Sequence, residues 1–182
     1  MMSDNRELTL LRDLIRREGL RHYEKPVKLS SGAHTTKYYD LKTMLSNGSN
    51  LRLASRVLSS FICSTKANIE SVGGIETGSI PLAAMIAADS NISYFYIRKK
   101  RKLHGLEKLI EGSLIPPAVL VDDVVTTGET MIRAGEIMKD LGVNSFLSCA
   151  LVFRGPKEKI PDISALMGNP FQPLFNDSDF CV

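Results

Sequence analysis

The stretch Ala118-Val119-Leu120-Val121-Asp122-Asp123-Val124-Val125-Thr126-Thr127-Gly128-Glu129-Thr130 decides the fold. Four consecutive apolar residues read as a short strand, Ala118–Val121, buried on both faces. It delivers two adjacent carboxylates, Asp122 and Asp123, to its carboxyl end. Thr126-Thr127-Gly128 then turns the chain into a helix from about Glu129 to Leu141. Amides in the first turn of a helix lack partners within it, and the helix dipole adds roughly +0.5 charge there, so this turn suits a phosphate monoester. Thr126, Thr127 and Thr130 add hydroxyl donors, and Gly128 admits close backbone approach. One aspartate would suffice to cap the helix. A second ionised carboxylate at a strand end is costly unless something binds it, and two can accept hydrogen bonds from vicinal hydroxyls. The combined demand is a sugar with a phosphate on one side and a diol on the other.

Working outward, the same strand–loop–helix unit recurs. Ile69–Val72 reads as a strand ending at Gly73-Gly74, followed by the apolar helical run Ile80–Ala88. Tyr94–Ile97 and Phe146–Phe153 read as further strands. On the N-terminal side, Ser3–Arg17 carries Leu8, Leu11, Leu14 and Ile15 at helical spacing, with Gly19 as a stop. A short extended region at Val27–Ser30, a turn-like tract at Gly32–Thr36, a short strand at Tyr38–Leu41 and a helix over Asn50–Phe61 follow. Units repeated this way predict an α/β fold with a central parallel sheet flanked by helices, its ligands at the carboxyl ends of the strands. We expect a single domain over 1–182: a small N-terminal hood over about 1–45, a binding core over about 46–154, and a segment from 155 to 182 that the pattern leaves unassigned.

A chain of 182 residues with 43% hydrophobic and 24% charged residues has ordinary globular composition. The longest nearly apolar stretch, Ile80–Ala88, falls far short of the ~20 residues that span a bilayer. The N-terminus shows no apolar signal core, and Cys63, Cys149 and Cys181 have no paired spacing. A cytoplasmic protein without membrane partner or zinc site is the expectation. The net charge of +3 is too small to mark a nucleic-acid binder. Its distribution is informative, because Arg98-Lys99-Lys100-Arg101-Lys102 holds five of the 23 basic residues and leaves the remainder slightly acidic.

That run continues through Leu103-His104-Gly105 into irregular sequence up to Leu114. Charge runs are usually solvated loops, and the aromatics of Tyr94-Phe95-Tyr96 invite an RNA-binding reading, although strand alternation buries about half of them. The length of irregular sequence and the possible hinges Gly105 and Gly112 favour a mobile catalytic loop. Earlier in the chain, Gly73-Gly74-Ile75-Glu76-Thr77-Gly78 sits between a strand and a helix, where backbone amides can face an anion, although such turns also serve packing alone.

The segment from Ala118 to Thr130 resembles over its full length the phosphoribosyl-pyrophosphate (PRPP) motif of type I phosphoribosyltransferases. The resemblance implies that family's fold, with Asp122 and Asp123 holding the ribose hydroxyls and Val124, Val125, Thr126, Thr127, Gly128, Glu129 and Thr130 wrapping the 5′-phosphate. Beside it, Glu76, Thr77 and Gly78 look like the family's pyrophosphate loop. Arg98, Lys99, Lys102, His104 and Gly105 reproduce the spacing R-K-x-x-K-x-H-G, which resembles the flexible loop of orotate phosphoribosyltransferases in particular. This implies that Arg98, Lys99, Lys102 and His104 bind PRPP, that Lys102 and His104 act in catalysis with Asp122 and Asp123, and that the loop reaches the neighbouring site of a homodimer. Leu29-Ser30-Ser31-Gly32 and Lys37–Lys42 are similar to the family's base-binding pattern. By that likeness Ser31, Gly32, Tyr38, Thr126 and Arg154 meet orotate, with Ser30 where relatives often carry lysine and Phe153 where an acid usually precedes the arginine. The resemblance covers about residues 5–154. It implies Mg²⁺ carried by PRPP, with no metal ligand supplied directly by the protein, and the synthesis of orotidine 5′-monophosphate in pyrimidine biosynthesis. The alternatives are a phosphoribosyltransferase for another base, or a non-catalytic PRPP-sensing or RNA-binding regulator on the same fold.

Overall fold

The computed structural model describes residues 2–28, 34–65, 67–99 and 109–180. Its strands are β1 (Leu20–Lys28), β2 (His34–Tyr39), β3 (Ser71–Ile75), β4 (Ser93–Ile97), β5 (Ile110–Gly112), β6 (Ala118–Val125), β7 (Phe146–Phe153) and β8 (Phe171–Asn176). Its helices are α1 (Met2–Leu14), α2 (Leu41–Leu45), α3 (Gly48–Ser64), α4 (Ile80–Ser90), α5 (Glu129–Asp140) and α6 (Ile160–Met167). The central sheet runs β5-β4-β3-β6-β7-β8, all parallel except β5, which pairs antiparallel with β4.

Period-two alternation along β6 sets the layers. Val119 and Val121 join a core built with Leu58 of α3 and with Leu82 and Ile86 of α4. Ala118 and Leu120 join a second core with Met131 and Met138 of α5 and Ile163 and Met167 of α6. Every residue of β7 is buried, as expected of a strand covered on both faces. No helix among the described residues is long and apolar enough to cross a membrane.

Four elements differ from the sequence expectation. The stretch up to Leu114, read as irregular with Gly112 as a hinge, contains β5, with Gly112 opposite Phe95. β6 is eight residues long, not four, and passes through both aspartates, because the main-chain ladder continues, Asp122 opposite Ala150 and Val124 opposite Val152, whatever the side chains are. β3 runs through Gly73 and Gly74 to Ile75, and the Phe95 ring of β4 fills the space beside Gly73, so these glycines serve packing while the turn proper is Glu76–Ser79. In the hood, the two short extended pieces belong to a longer hairpin, with Val27 opposite Thr35 and Lys28 opposite His34. That hairpin ends at Tyr39 and not at Leu41, since the Asp40 carboxylate accepts the Thr43 N–H at 3.3 Å and starts α2.

The segment from Gly155 onward completes the sheet. A 3-10 turn, Lys157–Lys159, leads into α6, then the edge strand β8, then a last 3-10 turn, Asp177–Phe180. Its prolines sit where they cost little: Pro161 in the first turn of α6 and Pro173 on an edge strand. The last turn also pins the hood. Tyr39 donates its hydroxyl to Asp177 Oδ1 at 2.7 Å, the Lys37 ammonium lies 2.8 Å from the same oxygen, and Phe180 packs edge-on against Tyr39 and Phe175.

Candidate active site

At the carboxyl ends of the parallel strands, under the hood, lies a cleft of about 580 Å³. β6 brings Asp122, Asp123 and Val124 to its wall, the following loop adds Thr126, and the first turn of α5 adds Thr130. The β3–α4 turn supplies Glu76, Thr77 and Gly78, Lys99 follows β4, Arg154 follows β7, and the hood contributes Tyr38. Residues far apart in sequence thus meet in one cavity.

Asp122 and Asp123 are 8% and 9% exposed. Burial first, and then the neighbouring Asp123 charge, push the Asp122 carboxyl well above the ordinary carboxylate range, while the hydrogen bond from the Asp123 N–H at 3.0 Å and the nearby Ser79 hydroxyl work the other way. Its charged form is therefore costly unless a ligand's hydrogen bonds replace the water that burial removes. Ser79 also locks its turn, donating to the Ile75 carbonyl at 2.8 Å and accepting the Ile75 N–H at 2.7 Å.

Beyond the aspartates, residues Asp122 and Val124–Met131 line a recess of about 40 Å³ at the amino end of α5. Gly128 occupies the N-cap position in the left-handed region, φ +86°. Val125 is buried in the core, and its carbonyl accepts the Arg154 N–H at 2.8 Å, so it can meet a ligand only through the recess backbone. Thr126, Thr127, Glu129 and Thr130 are exposed around the recess.

Glu76 accepts the Lys99 main-chain N–H at 2.8 Å and donates its own to the Ile97 carbonyl at 2.9 Å, tying the β3–α4 turn to the start of the basic run. Arg98 turns elsewhere: its guanidinium lies 3.7 Å from Glu111 on β5, and it lines a neighbouring hollow of about 250 Å³ beside Arg133. The Arg98 N–H donates to the Leu109 carbonyl at 2.8 Å, so the chain leaves and returns at one point. Lys102, His104, Ser31 and Gly32 lie outside the described residues.

Arg154 is oriented by the hood. Its Nη2 donates to the Lys37 carbonyl at 3.0 Å and to Thr35 Oγ1 at 3.3 Å, and its guanidinium stands 5.9 Å from the Tyr39 ring centroid. Phe153, at the position where relatives usually carry an acid, is fully buried and packs edge-on against Phe171. The hairpin therefore does what a neighbouring acid would do. Tyr23, Val27, Tyr39, Asp40 and Lys42 also line the cleft. Tyr39, Asp40 and Lys42 fall within the Lys37–Lys42 stretch, whose likeness to a base-binding pattern assigns a role to Tyr38 alone. Tyr23 and Val27 lie outside every motif, and only the fold of the hairpin over the sheet brings them there. The aromatic–x–Asp pattern around Tyr38 is the one local signal.

The phosphoribosyl transferase domain family matches residues 43–177. The chain belongs to the phosphoribosyltransferase family. The match runs past Arg154 and takes in α6 and β8, which the sequence motifs alone do not reach. A curated relative from Rhodopseudomonas palustris (strain TIE-1), named orotate phosphoribosyltransferase, is 33% identical over 190 residues and the alignment covers 98% of each chain. The crystal structure of Mycobacterium tuberculosis H37Rv orotate phosphoribosyltransferase in complex with Fe(III) dicitrate is similar with a TM-score of 0.77 and 27% identity, covering 97% of this chain and 99% of that one. The same M. tuberculosis enzyme in complex with PRPP is similar with a TM-score of 0.71 and 25% identity, covering 96% and 98%. As a phosphoribosyltransferase the chain is an enzyme of the glycosyltransferase class, and its fold is the α/β sheet of those neighbours.

Proposed function

We propose that this phosphoribosyltransferase joins N1 of orotate to C1′ of PRPP, releasing pyrophosphate and giving orotidine 5′-monophosphate for pyrimidine synthesis. The supporting observation is the single cleft that holds the Asp122–Asp123 pair, the amino end of α5, the Glu76–Gly78 turn, Tyr38 and Arg154. In this reading Asp122 and Asp123 fix the ribose hydroxyls, and the loop from Val124 to Thr130 takes the 5′-phosphate. Tyr38, 38% exposed, offers a ring for the pyrimidine, Thr126 lies beside it, and Arg154 meets a carbonyl of the base. Ser31 and Gly32 would meet the orotate carboxylate.

The C1′–O bond to pyrophosphate breaks as the N1–C1′ bond forms with inversion, and the electron pair leaves on pyrophosphate. Orotate entering as the N1 anion requires no side-chain base. Arg98, Lys99, Lys102 and His104 neutralise the leaving group, which matters more as water is excluded. The carboxylates of Asp122, Asp123 and Glu76 give the cleft hard oxygen donors, the ligand chemistry that magnesium takes. Mg²⁺ would arrive on PRPP and supply charge neutralisation of the diphosphate. The working unit is a cytoplasmic homodimer whose basic loop serves the partner's cleft, with the two substrates, and neither nucleic acid nor membrane, as its ligands.

The direct test follows orotate absorbance after mixing the protein with PRPP, Mg²⁺ and orotate. Consumption of orotate with stoichiometric pyrophosphate is expected. No consumption, alongside turnover of adenine, hypoxanthine or uracil, refutes the substrate; PRPP binding without turnover of any base points to a regulator.

Two substitutions separate the ends of the cleft. Gly128→Ala places a Cβ 2.9 Å from the Ile163 side chain on a left-handed backbone, a strain of about 1–3 kcal/mol. Steady-state kinetics should show the PRPP KM raised by roughly 5–100-fold and the orotate KM little changed. Arg154→Met removes a charged donor from the base end, so the orotate KM should rise by roughly 10–100-fold with the PRPP KM held within about two-fold.

A further inference from the structure

Asp122, Asp123 and Glu76 all line the cleft where the PRPP reading seats a diphosphate, and the turn Glu76-Thr77-Gly78 carries no cation of its own. A polyanionic leaving group beside three carboxylates needs positive charge close to that turn. One is present on α2. Leu41, Met44 and Leu45 bury this short helix against the core, the Asp40 carboxylate caps it, and of its two exposed residues, Lys42 and Thr43, Lys42 lines the cleft. A Cβ on residue 78 would fall onto the Asp123 carboxylate and within 2.8 Å of Lys42 Cε. The lack of a side chain at Gly78 is therefore what lets the Lys42 stem and the Asp123 carboxylate share this corner. Lys42 reaches it from an element remote in sequence from every phosphate-binding motif.

We propose that Lys42 binds the diphosphate of PRPP and the released pyrophosphate, as a cation supplied by the hood side in place of one on the pyrophosphate turn. The proposal rests on reading the cleft as a PRPP site but not on which base is used. The competing role is neutralisation of Asp123 alone, and the two differ in which half of PRPP they affect.

Full-length wild-type protein, Lys42→Ala, Lys42→Met and Lys42→Arg are titrated calorimetrically with magnesium pyrophosphate and, separately, with ribose 5-phosphate. Losing a charge-assisted contact should weaken pyrophosphate by roughly 10–100-fold in the Ala and Met variants, leave ribose 5-phosphate within about two-fold, and be largely restored by Arg. In turnover the PRPP KM should rise while the KM of the base stays unchanged. Pyrophosphate affinity within about two-fold of wild type overturns the proposal, as does parallel weakening of ribose 5-phosphate or absence of pyrophosphate binding by the wild type. Should Lys42→Ala fail to fold, Lys42→Met and Lys42→Arg carry the same comparison. Because pyrophosphate binding requires no base, a protein that shows the Lys42 effect but ignores orotate refutes the orotate assignment and leaves this one standing.

Discussion

Asp122→Asn is expected to make the ligand-free protein more heat-stable while removing most of its activity. The Asp122 carboxyl is held well above the ordinary carboxylate range by burial and by the Asp123 charge. An acid whose folded-state pKa exceeds its unfolded value near 3.9 favours folding when protonated, so its contribution is fully present below that value and is lost as pH rises through the folded value. At neutral pH the wild-type protein therefore carries a liability that asparagine, similar in shape and never ionised, does not. The asparagine would keep an oxygen able to accept the Asp123 N–H, which bonds to Asp122 Oδ1 at 3.0 Å in the native chain. A gain of about 1 kcal/mol would raise Tm by roughly 2–4 °C for a domain of this size. The gap between variant and wild type should narrow as pH falls through the folded value and close below about 3, where both side chains are neutral in both states. Activity moves the other way. Hydrogen bonds from sugar hydroxyls to a charged acceptor are worth about 1.5–3 kcal/mol each. Losing the charge under a diol should then lower kcat/KM for PRPP by roughly 10²–10⁴-fold. Calorimetry across pH and PRPP kinetics read the two halves independently. A Tm below wild type at neutral pH would show that the buried carboxylate is structural, and undiminished activity would remove Asp122 from the ribose site.

The parts of this molecule that are legible in the sequence are those where one local segment carries both structure and chemistry. Ala118–Thr130 is a strand, a turn and a helix start within thirteen residues, so its apolar run, its paired acids and its Thr-Gly turn point the same way. Phe146–Phe153 is apolar along nearly all its length, and its strand begins and ends where the pattern does. What stays hidden depends on topology. β8 looks unlike a strand because Pro173 interrupts it, a feature only an edge position tolerates. The orientation of Arg154 comes from Thr35 and the Lys37 carbonyl, more than a hundred residues upstream, and no spacing rule reaches that far. Tyr23 enters the cleft for the same reason, through the docking of the hood on the last turn at Asp177, and Lys42, though it ends a motif stretch, is not marked there as facing a phosphate. The basic run is legible as charge but not as direction: Lys99 lines both the cleft and the neighbouring hollow, while Arg98 turns to Glu111 and the hollow alone.

That division of labour bears on the second large effect, restoration of activity in mixed dimers. If the basic loop serves the partner's cleft, Lys102→Ala and Asp123→Asn homodimers should each retain under roughly 1% of wild-type activity, since each lacks a charged contact in both sites. A dimer pairing one subunit of each kind differs. One of its sites combines the asparagine-substituted strand end with a loop lacking Lys102 and stays inactive. Its other site combines an intact Asp123 with the intact loop donated by the Asp123→Asn subunit and should work at full rate. Random mixing makes about half the dimers mixed, so about a quarter of wild-type activity should return. At the stem of the loop Arg98 turns to Glu111 on β5, and Glu76 fixes the Lys99 main chain at the cleft's rim. Purifying mixed dimers with two different affinity tags makes the composition certain, and orotate turnover reads the outcome. Mixed dimers of verified composition that stay inactive would place Lys102 and Asp123 in the same subunit's site and end the shared-loop reading.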